Sequence, residues 1–303
     1  MESIQVLLSL ITKDNDYQRE QALAAERVAA KLGLRVEILY AASDAITQSQ
    51  QLLEAIQGPV ESRPRAILLE PVGTGLQQVA TAAAKANIGW VIMNREADYI
   101  RDIRRISEAP IFSISSDHLE IGRMQGRQMQ HLLPEGGQVL YMQGPSTSFP
   151  AQQRTQGMME TKPQNVQVRV LSGQWTESSA YQATISLMRL RTSRESRIDL
   201  VSAQNDVMAL GVRKALKELM PDWSWIPFIG VDGMAATGQR WVNESLLAAT
   251  IVVPTNTDIA LEMLKKALVT KTQPQELTWV KPKSFPDLEK LVPKNRQTAM
   301  QHA

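Results

Sequence analysis

The segment AQNDVMALG, residues 203–211, decides how the chain is read. It follows RIDLVS (197–202), an apolar run with strand character, and leads into VRKALKELM (212–220), which reads as a helix. A strand that should be buried thus ends on Gln204, Asn205 and Asp206 before the chain turns back into an apolar helix. Polar side chains at such a point either cap the next helix or face something polar beyond the sheet.

The same transition recurs along the chain. IQVLLSL (4–10) leads into a segment whose Ala22, Val28, Ala29 and Leu32 form an apolar stripe and whose Gly33 suits a helix stop. RVEILY (35–40) leads into SDAITQSQQLLEAIQG, with Ser43 expected as N-cap and Ile46, Leu53 and Ile56 near one face. RAILLE (65–70), GWVIMN (89–94), PIFSIS (110–115), GQVLYMQ (137–143), VQVRVL (166–171), PFIGV (227–231) and LLAATIVV (246–253) continue the series. After Thr272 the rhythm gives way to a last strand at ELTWV and an irregular tail. Strands separated by helices predict parallel sheets covered on both faces.

About ten such runs in 303 residues suit two sheets better than one. The predicted fold is α/β, with two doubly wound parallel-sheet lobes. No Gly/Ser-rich or Pro-rich linker separates them, so several short crossing strands should join them as a hinge. The expected division is 1–116 plus 254–277 for the N-terminal lobe and 117–253 plus 278–303 for the C-terminal lobe and tail.

Composition narrows the function. Lys+Arg 33 against Asp+Glu 31 leaves a formal net charge of +2, without blocks of like charge, so neither nucleic acid nor an anionic membrane is an expected partner. The sequence has no cysteine, which removes thiolate nucleophiles and cysteine metal sites. No apolar run approaches the ~20 residues of a membrane span. The opening MESIQVLLSLITKDN lacks a basic region and a cleavage signature, and is read as a first strand, not a signal peptide.

Polar residues gather at the carboxyl ends of the predicted strands, where open parallel sheets bind ligands. They include Asp14, Asn15, Asp16 and Tyr17, then Glu70, Asn94 with Arg95, Asp117, Asn205 with Asp206, and Asp232. Asp117 and Asp206 are expected to be helix caps, and Asn205 to face ligand. Tyr17 and Trp175 lie in polar, loop-like stretches, where aromatic faces beside carboxylate, amide and guanidinium groups suit a sugar. The remaining tryptophans, among them Trp90, Trp223 and Trp279, are assigned to packing or surface.

On these residues the chain resembles the type I periplasmic binding protein superfamily, in particular ribose/galactose-type receptors of ABC transporters and the effector domains of LacI-type repressors. AQNDVMALGVRKAL, IGVDG with LLAATIVVP, LEIGRMQGRQM and FPAQQRTQGM carry the resemblance, which covers roughly residues 4 to 280. In LEIGRMQGRQM, Gly122 and Gly126 would let the helix lie close on the sheet. The resemblance implies ligand contacts from Asn15, Tyr17 and Arg95 in the first lobe, and from Arg154, Trp175, Asn205 and Asp232 in the second. This chain departs from the ribose-type pattern at Glu70, at Asn94 and at Val253, and Glu70 could supply the carboxylate lost at Asn94.

The resemblance therefore implies a receptor that encloses a small polar ligand, a sugar or polyol, between two lobes by hinge closure. Its partner would be an ABC permease or a membrane sensor, and its place the periplasm or cell envelope. With Met1 as native start, a cytoplasmic location and a LacI-like sensor acting through protein contacts form the alternative. The helix-turn-helix of repressors is not expected, because a strand begins at Ile4. Catalysis, cofactors and metals are not expected either. His118, His131 and His302 form no pattern of ligands or bases, and VGTGLQQV has Gln78 where a dinucleotide loop needs its third glycine.

Overall fold

The computed structural model describes residues 4–14, 16–190, 197–220 and 225–293. Asn15, Trp223 and His302 lie outside these residues. Along the chain the strands are β1 (Ile4–Leu10), β2 (Leu34–Tyr40), β3 (Ala66–Leu69), β4 (Gly89–Met93), β5 (Ile111–Ser116), β6 (Gly137–Gln143), β7 (Val166–Ser172), β8 (Leu200–Ala203), β9 (Phe228–Ile229), β10 (Thr250–Val252), β11 (Leu277–Val280) and β12 (Lys283–Phe285). The helices are α1 (Asp16–Leu32), α2 (Ala45–Gln57), α3 (Gln77–Lys85), α4 (Ile100–Arg104), α5 (His118–Leu132), α6 (Phe149–Thr161), α7 (Glu177–Met188), α8 (Asp206–Leu219), α9 (Arg240–Asn243) and α10 (Asn256–Thr270). They fall into two compact units, Met1–Ser116 with Thr255–Val280 and Asp117–Pro254 with Lys281–Ala303.

In the first unit six strands run parallel in the order β11-β5-β4-β3-β1-β2. Alternation of side chains along each strand divides the apolar residues between two cores. Val6, Leu8, Leu68, Val91 and Met93 pack with α1 and α10, whereas Leu7, Ile67, Leu69, Trp90 and Ile92 pack with α2, α3 and α4. Two details differ from the sequence reading. The cap of α2 is Asp44, whose carboxylate accepts from the Thr47 N–H at 2.6 Å, because Ser43 has φ +61° and serves the turn. The inner face of that helix is Gln48, Leu52 and Ile56, leaving Ile46 exposed.

The second unit holds a parallel sheet in the order β7-β6-β8-β9. Backbone bonds from the β9 strand reach the chain at Ala249 and, beyond β9, from Asp232 to Val252, so β10 extends the sheet. The tail is not irregular throughout, since Lys283–Phe285 forms β12 and pairs antiparallel with β10. Two prolines bracket this strand and hide it in the sequence, yet it covers backbone groups that β10 would otherwise leave bare.

Close packing of α5 on α6 replaces the expected role of the α5 glycines. A Cβ on Gly122 would overlap the Arg154 carbonyl, one on Gly126 the Thr161 side chain, and one on Gly157 the Leu119 carbonyl. The glycines therefore bring helix to helix, while Gln125 reaches the sheet and donates to Ser202 Oγ at 3.1 Å and to the Ala203 carbonyl at 2.9 Å. Gly122→Ala and Gly157→Ala should each lower the urea midpoint, at a cost of about 1–3 kcal/mol. Gly75→Ala, where a Cβ meets open space, should leave the midpoint in place.

Candidate functional site

Each unit carries polar side chains where its parallel strands end. In the first unit Glu70 follows β3 and is 7% exposed. Gln18 Nε2 donates to Glu70 Oε2 at 2.6 Å and Asn94 Nδ2 to Glu70 Oε1 at 2.7 Å. Glu70 and Asn94, separate in the sequence, thus form one charged hydrogen-bonded pair, with the carboxylate fixing the Asn94 amide. Gln48 ties the arrangement to the sheet, donating to the Glu70 carbonyl at 2.9 Å and to Ser9 Oγ at 3.1 Å. Arg95 donates to the Gly73 carbonyl at 3.0 Å. Tyr17, on the first turn of α1, accepts through its hydroxyl from Asn256 Nδ2 at 3.3 Å.

In the second unit Arg154 is 6% exposed on α6. Its guanidinium donates to the Gln204 carbonyl and stands over the Trp175 ring at 5.7 Å, while Nε has no hydrogen-bond partner among the described residues. Trp175 lies against Gly144, where any side chain would meet its ring. Asn205 Nδ2 donates to the Trp175 carbonyl at 3.0 Å. Arg154, Trp175 and Asn205 are therefore brought together.

The expected cap of α8 is displaced by one residue. Asn205, extended at φ −150°, caps the helix by accepting from the Met208 N–H at 2.9 Å. Asp206 is instead buried, accepting from the Gly233 N–H at 2.8 Å and from Thr250 Oγ1 at 2.6 Å. Asp117 does cap α5, accepting from the Glu120 N–H at 2.9 Å. Gly230 and Gly238 make room for the Asp206 carboxyl, since a Cβ on either would overlap it.

Three of these residues are among the eight described non-glycine residues with positive φ. Asn94 has φ +62°, Trp175 φ +63° and Asp232 φ +99°. For a tryptophan or a non-glycine residue near +99° that conformation is costly, and such costs gather where function requires a side chain to be aimed.

A buried amide and hydroxyl network escaped the sequence reading. Tyr141 OH donates to Gln125 Oε1 at 3.0 Å and accepts from Gln204 Nε2 at 2.9 Å, and Gln204 Oε1 accepts from the Gly144 N–H at 2.9 Å. Burial raises the Tyr141 hydroxyl pKa, with hydrogen bonds from Gln204 and Thr155 and the charge of Arg154 opposing. The available signal was glutamine on the inward face of helices, at Gln18, Gln48 and Gln125.

Burial, then the charge of Asp232, holds the Asp206 carboxyl well above the ordinary range, against opposing pulls from Thr250, Gly233 and Arg154. The folded chain therefore keeps a proton that the unfolded chain releases near its ordinary value of about 3.9. Stability from this group is full below that value and is lost as pH rises toward the raised folded value. Urea denaturation across about pH 4 to about pH 8 should show this slope in the unmodified protein and a flatter one in Asp206→Asn.

The architecture and the strand-end geometry can be set beside known proteins. The profile of the periplasmic binding protein domain matches residues 6–272. The chain belongs to this family. The ribose import binding protein of Escherichia coli is 25% identical to this chain over 248 residues, 81% of this chain and 78% of that one. A galactofuranose binding protein superposes with a TM-score of 0.79 at 21% identity, covering 95% of this chain and 98% of that one. The periplasmic binding component of the arabinose ABC transporter from Shewanella sp. ANA-3, bound to arabinofuranose, also gives 0.79 at 21% identity, with 98% of each chain covered. No described helix is long and apolar enough to cross a membrane.

Proposed function

We propose that this periplasmic binding protein is a receptor for a sugar or polyol, acting with an ABC-type permease or a membrane sensor in the periplasm or cell envelope. The observation that carries the reading is Arg154, a buried guanidinium with its Nε donor unpartnered among the described residues and its face on Trp175. A donor desolvated without an acceptor costs about 1–3 kcal/mol, which a ligand hydroxyl or ring oxygen would recover. The aromatic ring beside it suits the C–H face of a sugar.

Glu70, Asn94, Arg95, Tyr17 and Asn15 are the residues proposed to contact ligand from the first unit, and Arg154, Trp175, Asn205 and Asp232 from the second. Asn205 retains one Nδ2 proton after bonding Trp175, so it can cap α8 and donate to ligand together. Binding that draws on residues of both units would favour a closed state over an open one, and the closed state is the form a transporter recognises. No group is assigned a chemical step, and the import proteins among the relatives favour the receptor over a sensor of the repressor type.

Thermal shift with D-ribose, L-arabinose, D-galactose, D-fructose and myo-inositol tests the reading, because a ligand bound only by the folded form raises the melting temperature. At least one should do so. Calorimetry with that sugar should find Arg154→Ala and Asp232→Ala folded but weakened by about tenfold to a hundredfold. A flat panel, or unchanged affinity in both variants, refutes the site.

A further inference from the structure

Asp206 was expected to cap a helix, and its actual bonds surround a different residue. Its backbone N–H donates to the Val231 carbonyl at 2.7 Å, and its carboxyl accepts from the Gly233 N–H at 2.8 Å. Val231 and Gly233 are the two neighbours of Asp232. The same carboxyl accepts from Thr250 Oγ1 at 2.6 Å, on the strand to which the Asp232 backbone is itself bonded. Asp232 N–H donates to the Ile251 carbonyl at 3.0 Å, and the Val253 N–H donates to the Asp232 carbonyl at 3.1 Å. Between these ties Asp232 adopts φ +99°.

A non-glycine residue does not hold that conformation unless its surroundings impose it. The surroundings here include the Asp206 side chain at 3% exposure, which a Cβ on Gly230 or Gly238 would overlap and which accepts from the Gly233 N–H. We propose that Asp206 is a positioning residue that holds Asp232 in its left-handed backbone conformation and thereby aims the Asp232 carboxylate at the ligand. The inference rests on the reading of Asp232 as a ligand contact, and it assigns to Asp206 the conformation and not the contact. Charge enters second: Asp232 and Arg154 are the charged groups that act on Asp206, and Thr250 and the Gly233 N–H are its hydrogen-bond partners.

A double-mutant cycle on stability tests the hold without any ligand. Asp232→Gly removes the strain of a positive φ, since glycine adopts it freely. Its effect on the urea midpoint should be more favourable in the unmodified protein than in Asp206→Ala, where the loop has already relaxed. Equal shifts in both backgrounds overturn the proposal, because uncoupled sites add. Thr250→Val, which keeps the side-chain shape and removes one bond to Asp206, should shift the cycle in the same direction by less, and decides the matter if Asp206→Ala does not fold.

Calorimetry then uses the panel sugar that gives the unmodified protein its largest thermal shift. Asp206→Ala should bind it about tenfold more weakly. Asp206→Asn, which keeps an acceptor for the Gly233 N–H, should restore most of the affinity, a rescue that loss of bulk packing would not predict. If Arg154→Ala loses affinity while Asp206→Ala keeps it, the positioning role fails and the receptor reading stands. If no panel sugar binds, the receptor reading fails and the stability cycle alone decides the hold on Asp232.

Discussion

Parallel strand pairing is the constraint on which both units depend. A strand can pair parallel to its neighbour only if the chain returns across the sheet, and a helix is the compact way to return. Every strand of such a sheet then ends at the same edge. Residues far apart in sequence, each following a strand, are delivered to one place without any direct sequence relation. Glu70 and Asn94 meet in this way after β3 and β4, and Gly144 and Gln204 meet after β6 and β8. The apolar middle of the strands serves the core, and polar residues gather where the strands end.

Placing polar groups at that edge raises a second problem, since they are buried. The chain meets it largely with amides. Gln18, Gln48, Gln125 and Gln204 hold the carboxylate, the turns and the tyrosine hydroxyl in place, each donating and accepting through one side chain. An amide loses less hydration than a charge does on burial, so a network of glutamines can be satisfied within the protein and still be rigid. Charge is reserved for a few positions. Glu70 is held by two amides and Arg154 by a carbonyl and an aromatic face, whereas burial favours the protonated form of Asp206, which rests on a backbone N–H and a hydroxyl.

The fold was legible because its signals are repetitive. Ten alternations of strand and helix survive errors at any one boundary, and the ends of β1 and β6 fell on the expected residues, IQVLLSL and GQVLYMQ. The polar residues at the strand ends were legible as a group, but the bonds each of them makes were not. Asn205 and Asp206 are adjacent acceptors, and the backbone angle of Asn205, extended at φ −150°, makes it the cap and turns Asp206 inward. Asp44 takes the cap expected of Ser43 for the same reason. The strand Lys283–Phe285 was illegible because its evidence is a partner strand far back in the sequence. The glutamine network was illegible because each glutamine alone looks like an ordinary polar position on a helix.

The positive φ angles at Asn94, Trp175 and Asp232 connect these points. A residue in that conformation projects its side chain in a direction that a relaxed strand end or turn does not offer. Holding three of them requires that neighbouring groups over-determine the backbone, and each has such a neighbour. Glu70 fixes the Asn94 amide, Asn205 accepts the Met208 N–H while bonding the Trp175 carbonyl, and Asp206 grips both sides of Asp232. In AQNDVMALG the run of polar residues is thus a set of supports: Gln204 for the loop at Gly144 and for Arg154, Asn205 for Trp175, Asp206 for Asp232. Such supports leave the backbone at these residues few alternatives, so the stability held in this segment is also what keeps their side chains aimed in one direction.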